Sequence, residues 1–196
     1  MSRLTFFTLL FVGLLFTGCS KELSDEQSET GTVSLSFSSV VENQPLAIGQ
    51  EYTNQWGEKY SVSTFKYYLH NVSFVTATGV TYPASAEYYL VDEAKPETKT
   101  ITVRVPAGDY NRVIYTLGVD SAKNVSGAQS GVLDPTNGMF WTWSSGYVMA
   151  KLEGASPSAA TANSNFSYHV GGFKQAELAI KQIVLNVPAE NSLKVA

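Results

Sequence analysis

Cysteine occurs once in the 196 residues, at Cys19, and histidine only twice, at His70 and His169. A single thiol excludes an internal disulfide, and so small a stock of Cys and His excludes a structural zinc cage. Charge is sparse as well. Only 15% of residues are charged, with 13 Lys and Arg against 17 Asp and Glu. No basic stripe exists to neutralise phosphates, which excludes nucleic acid as a partner. The chain has no G-x-S-x-G elbow, no phosphate-cradling glycine loop and no H-E-x-x-H. Its carboxylates are scattered through loop-like stretches, so no acid–base pair of the glycosidase kind is assignable. These absences together read as a protein that is not an enzyme. The one long apolar run, Leu4 to Phe16, is too short for a comfortable membrane span.

That run is preceded by Arg3 and ends in small residues before Cys19, in "LFTGC". The pattern resembles a bacterial lipobox, in which the cysteine is freed by cleavage and acylated. An ordinary secretory signal with an accidental cysteine is the alternative, and the lone thiol favours the lipobox. Residues 1–18 then form a lipoprotein signal peptide, residues 19–31 an acylated Cys19 with a flexible acidic tether, and residues 32–196 one domain. The tether sequence "SKELSDEQSETG" is polar and free of aromatics, as disordered segments are. It resembles the surface-export tethers of Bacteroidota lipoproteins. The expected location is the cell envelope, anchored to the outer membrane by lipid alone and exposed at the surface. Loss of Arg3 leaves 12 basic against 17 acidic residues, a net charge of −5.

The domain of about 165 residues is dominated by period-two alternation. "TVSLSFS" places Val33, Leu35 and Phe37 on one face. "VSTFKYYLHNVSFV" is a longer strand whose apolar face changes, from Phe65, Tyr67 and Leu69 to Val72 and Phe74. That change predicts a bulge or bend near His70 and Asn71. "EYYLVD" is a short strand. "KTITVRVPAGDY" and "NRVIYTLGVD", separated by a Pro106–Gly108 turn, predict a hairpin. A long surface loop follows, from Asp120 to Gly138. "FSYHVGG" and the β-rich half of "AELAIKQIVLNVP" give further strands. Short strands with turn punctuation predict an all-β fold, a single antiparallel β-sandwich. A sandwich closes with additional strands, so the abrupt end at "NSLKVA" reads as a truncated C-terminus.

Two of the three tryptophans fall in "GMFWTWSSGY", residues 138–147. On one continuous strand Met139, Trp141, Trp143 and Ser145 share a face, with the two indoles about 7 Å apart. Such a pair serves as core filling or as an exposed platform for a sugar ring, and both readings stay open. Met139 and Met149 are candidate thioether ligands, but methionine in such strands more often fills the core.

The ordered set "YYLHNVSF", "EYYLVD", "VPAGDYNRVIYTLGVD", "LDPTNGMFWTWSSGYVMAKLEG" and "YHVGG" resembles the MbnP-like copper-binding domain family of exported bacterial β-sandwich proteins. The resemblance runs from about Gly31 to Gly172 and is most specific in M-x-W-x-W-x-x-G-Y. It implies that a partner diheme peroxidase-like enzyme oxidises Trp141 or Trp143 to kynurenine. The new aniline nitrogen would join His70 in binding copper, preferably Cu(I), for storage or delivery to an outer-membrane uptake system. His169 matches a second characteristic histidine of the family, with a structural role expected and ligation the lesser reading. Imidazole suits copper, and a site of few ligands suits its soft monovalent state. The chain departs from the family pattern at Asn124–Val125, where relatives carry Asn-His, and in lacking a cysteine pair. His70 also has a plain reading, as a strand histidine bonded to a neighbouring carbonyl. The rival function is a non-catalytic glycan- or protein-interaction module that kept the fold and lost the metal. The rings of Trp56, Tyr67, Tyr68, Tyr82, Tyr88 and Tyr89 would supply its stacking surface. A third reading is a structural component of a surface assembly, completed by a partner's strand.

Overall fold

The computed structural model describes residues 29–143, 146–174, 179–188 and 193–195. The predicted signal peptide, Cys19 and nearly all of the tether lie outside the described residues. In chain order the strands are β1 Thr30–Ser36, β2 Val40–Val41, β3 Gln44–Pro45, β4 Glu51–Thr53, β5 Lys59–Thr76, β6 Thr81–Ser85 and β7 Tyr89–Asp92. They continue as β8 Thr100–Pro106, β9 Gly108–Leu117, β10 Phe140–Trp141, β11 Gly146–Ala155, β12 Asn165–Gly171, β13 Lys181–Asn186 and β14 Leu193–Val195. The one α-helix among the described residues, α1 at Ser121–Val125, is a little over a turn. β1 begins two residues before the expected domain boundary. No helix of the described residues is long and apolar enough to cross a membrane.

The architecture is the expected all-β, antiparallel sandwich, with two very unequal sheets and a separate short ladder of β2 with β3. β1 pairs only with β8, while a large sheet runs β10-β11-β5-β9-β13 with β12 on β11, β14 on β9 and β4, β6 and β7 on β5. Alternation explains how they pack. Ile101, Val103 and Val105 of β8 and Val33 of β1 point inward onto Leu69, Val72, Phe74, Val91 and Val113 of the large sheet. Burial of these side chains contributes roughly 1.5–3 kcal/mol each relative to exposure.

The bend predicted in β5 is present. Asn71 has φ of 54°, and the β5–β9 register skips from His70↔Thr116 to Ser73↔Ile114. Asparagine tolerates this left-handed backbone because its short polar side chain bonds locally. The skip keeps Leu69, Val72 and Phe74 all in the sandwich core, while Lys66, Tyr68 and His70 share the outer face.

Two expectations are corrected. β8 and β9 do not form a hairpin, since β8 belongs to the small sheet and β9 to the large one. The Pro106–Gly108 turn is a corner between sheets, closed by the Tyr110 hydroxyl donating to the Pro106 carbonyl at 2.6 Å. Inward-facing Val105 and Tyr110 both reach the core only if the chain changes layers there. The second correction concerns the tryptophan stretch, which is not one continuous strand. Phe140 pairs with Tyr147 and Trp141 with Gly146, so the chain reverses between Trp141 and Gly146.

The loop predicted from Asp120 to Gly138 has a structural purpose. With α1 and two 3₁₀ turns it lies over the outer face of the large sheet, forming a second core of Tyr68, Val119, Leu133, Met139, Tyr147 and Val148. Tyrosine hydroxyls tie it down, Tyr68 donating to the Val132 carbonyl at 2.9 Å and Tyr147 to that of Leu133 at 2.8 Å.

Candidate metal centre

His70 sits at the β5 bend, 2% exposed, at the margin of this second core. Its Nδ1 lies 3.1 Å from the Gly118 carbonyl oxygen. A carbonyl only accepts, so Nδ1 carries the proton and the neutral ring keeps its lone pair on Nε2. Among the described residues Nε2 makes no hydrogen bond. The Tyr88 ring stacks on the imidazole with centroids 4.7 Å apart and planes at 18°. The Tyr88 hydroxyl donates in turn to the Asp120 carboxylate, which also caps α1 through the Lys123 amide at 2.9 Å.

Behind this group stands Asn124, 1% exposed. Its Oδ1 accepts from the Tyr147 amide at 2.8 Å, and its Nδ2 donates to the carbonyls of Val119 at 2.7 Å and Asp120 at 3.0 Å. One side chain thus fixes the Asp120 loop onto β11. The neighbouring Val125 points to solvent.

Burial is the largest influence on His70 and lowers its pKa, outweighing the Gly118 carbonyl and the Asp120 charge, which raise it. Burial pushes the Asp120 carboxyl up, but the Tyr88 hydroxyl, the Lys123 amide and the His70 ring hold it below its ordinary value. The His70 shift has a defined sign for stability. The unfolded chain takes up a proton near the ordinary histidine value of about 6.5, before native His70 does. Stability from this group is therefore complete above that pH and falls as the pH drops toward the lower native pKa. Thermal melts between about pH 7.5 and 5 are expected to show this decline, and His70→Gln to flatten it. An equal slope in both proteins would assign the pH dependence elsewhere.

The other predicted residues are placed as follows. Trp141 is half-buried at the edge of the second core, against Gly171, where an added Cβ would lie 2.4 Å from the indole Cζ3. Trp143 is 81% exposed, its ring 5.7 Å from that of Trp141 and tilted by 43°. The two indoles are neighbours across a chain reversal, and the aromatic ring stacked on His70 is that of Tyr88. His169 stands on β12 opposite Lys151, which stands opposite Lys66 on β5. That is two strands and four residues from His70, about 16 Å by sheet spacing. Its Nε2 lies 2.6 Å from Glu153 Oε1 and 2.9 Å from Ser167 Oγ. The structure does not bring the two histidines together. Met139 and Met149 are buried core residues, and Cys19 is outside the described residues.

Sequence reasoning missed Gly118 and Asp120 as partners of His70, and took Tyr88 for a surface ring. They are 48, 50 and 18 positions away, and no spacing signal joins them. Tyr68, also read as a stacking ring, is wholly buried. Among the described residues no three His, Cys, Asp or Glu side chains cluster as a metal cage. What remains is one oriented imidazole with an acidic neighbour behind a tyrosine.

Comparison with known proteins agrees with the fold. The MbnP family matches residues 30–195. The solved structure of MbnP from Methylosinus trichosporium is similar with a TM-score of 0.59 and 17% identity, over 80% of this chain and 71% of that one. No curated protein matches the sequence.

Proposed function

The chain belongs to the MbnP family, and from that premise we propose that it is an envelope lipoprotein that binds copper, as Cu(I), for storage or delivery. His70 is the ligand from the chain as synthesised. The observation that carries this reading is the Nδ1 contact with the Gly118 carbonyl, which leaves Nε2 free to ligate. Burial supports it too, since a low proton affinity keeps the lone pair available. One imidazole is a thin donor set, which suits monovalent copper better than ions demanding four or more ligands.

An indole nitrogen offers no lone pair in the ring plane, so unmodified tryptophan would add no nitrogen donor to the site. Oxidation of Trp141 or Trp143 to kynurenine by a diheme peroxidase-like partner would supply the second donor. Exposure favours Trp143 as the residue such an enzyme reaches, while Trp141 packs against the same second core as Tyr88, the ring stacked on His70, which favours Trp141 as the donor. In this reading the chain itself turns nothing over, and copper passes on to an outer-membrane uptake system.

The test is a Cu(I) competition titration of protein processed in its native host, beside protein made in a host without the oxidase. Stoichiometric binding by the first and much weaker binding by the second is expected, with one tryptophan heavier by mass spectrometry only in the first. Absence of binding by the natively processed protein would overturn the proposal. Anchoring is tested separately. Cys19→Ser is expected to move the protein from the membrane fraction to the soluble fraction, and retention in the membrane would exclude Cys19 as the acylated residue.

The interaction-module reading keeps support from rings on the β4–β5 turn and on β12. Trp56 is 76% exposed and Tyr168 62%, both remote from His70.

A further inference from the structure

The small sheet has only two strands and covers only part of the large one. Its core side chains meet the β5 segment from Leu69 onward; toward the opposite end of the same face Val40 and Val41 of β2 stand beside Tyr60 and Leu152, and the small sheet does not extend over the stretch from there to the β12 edge. A groove of about 350 Å³ lies there, within the size range of small-molecule sites. Tyr60 of β5 and Phe166 and Tyr168 of β12 give it aromatic walls, and Asn54, Glu58 and Ser158 give it a polar rim. We propose that this groove binds a neutral pyranose unit of a glycan.

The lining matches that ligand on both counts. A pyranose presents apolar C–H faces and a girdle of hydroxyls, and so needs flat rings beside side-chain donors and acceptors. Phe166 and Tyr168 are i and i+2 on the edge strand, so they share a face. Their ring centroids are 5.8 Å apart with planes inclined at 41°. Across from them the turn between β4 and β5 holds its polar groups in place. Asn54 Oδ1 accepts from the amides of Trp56 and Glu58, both at 3.0 Å, and its Nδ2 donates to Glu58 Oε2 at 2.8 Å. Glu58 keeps its second carboxylate oxygen as an acceptor for hydroxyls. The amide, carboxylate and hydroxyl rim argues against an aliphatic ligand, and Glu58 on an acidic chain argues against an anionic sugar. The exposed indole of Trp56 lies on the same turn, two residues from both Asn54 and Glu58.

The site is independent of copper. Tyr60 is ten residues from His70 along β5, about 33 Å. The experiment is isothermal titration of the full, metal-free chain with cellohexaose, xylohexaose, mannohexaose and N-acetylchitohexaose. Saturable binding of at least one is expected, weakened about tenfold or more by Tyr168→Ala and by Glu58→Ala and retained by Tyr168→Phe. Both substituted residues are exposed, and unchanged thermal melts would show that the variants fold. No saturable binding of any probe up to about 10 mM would overturn the proposal. So would binding that both alanine variants leave unchanged. Neither result bears on the copper titration, whose outcome depends on His70.

Discussion

Replacing His70 by glutamine is expected to weaken Cu(I) binding by natively processed protein more than about 100-fold. Removing a group that merely orients a ligand typically costs 10- to 100-fold, so a larger loss separates a ligand from a supporting residue. Glutamine keeps most of the volume and offers a side-chain N–H toward the Gly118 carbonyl. That limits the cost of leaving a buried acceptor unpaired, otherwise about 1–3 kcal/mol. The melting temperature is therefore expected to move little while copper binding collapses. The reverse result, a lower melting temperature with copper affinity kept within about tenfold, would make His70 a structural histidine and sink the metal assignment. His169→Gln is the internal control. Its partners Glu153 and Ser167 belong to another part of the sheet, and its loss is expected to leave copper affinity intact.

The largest effect on stability is expected from Gly154→Ala. Gly154 lies in the middle strand of three, opposite Val62 of β5 and Phe166 of β12, where the β5 register shifts after Glu153. A Cβ there would stand 2.0 Å from the Ser61 carbonyl oxygen and 2.4 Å from Phe166 Cζ. The carbonyl is backbone, so the clash is relieved only by parting β5 from β11. A cost of about 3 kcal/mol or more follows, at the upper end of overpacking penalties. For a domain of this size that lowers the melting temperature by roughly 6–12 °C. Calorimetry of the variant measures it directly, and a melting temperature within about 1 °C of the parent would show that the strands separate at little cost. Displacing Phe166 would also deform the aromatic groove, so glycan binding is expected to fall in the same variant.

How much of this was legible beforehand varied from element to element. The bend at His70 and Asn71 could be read because a strand's inward face is set by its own residues, and the apolar set of β5 visibly changes parity. The strands at Tyr89–Asp92, Asn165–Gly171 and Lys181–Asn186 were readable for the same reason. The β8–β9 corner was not, since proline and glycine suit a hairpin and a crossing between sheets equally. Only the layer that buries Tyr110 distinguishes them. The tryptophan stretch misled likewise, because its alternation fits one long strand as well as two short ones.

The candidate site divides the same way. Composition alone limited any metal to one or two imidazoles, and the family resemblance singled out His70. The sequence by itself determined the all-β class, the period of most strands and the poverty of ligands. Those follow from local alternation and from counts. The tertiary structure alone decided that Tyr88, Gly118 and Asp120 surround His70, that His169 does not, and that the small sheet stops short of the β12 end of the inner face. Each of these is a pairing between residues far apart in the chain, fixed by which sheet a strand joins and in what register. That choice depends on the burial of the whole chain at once.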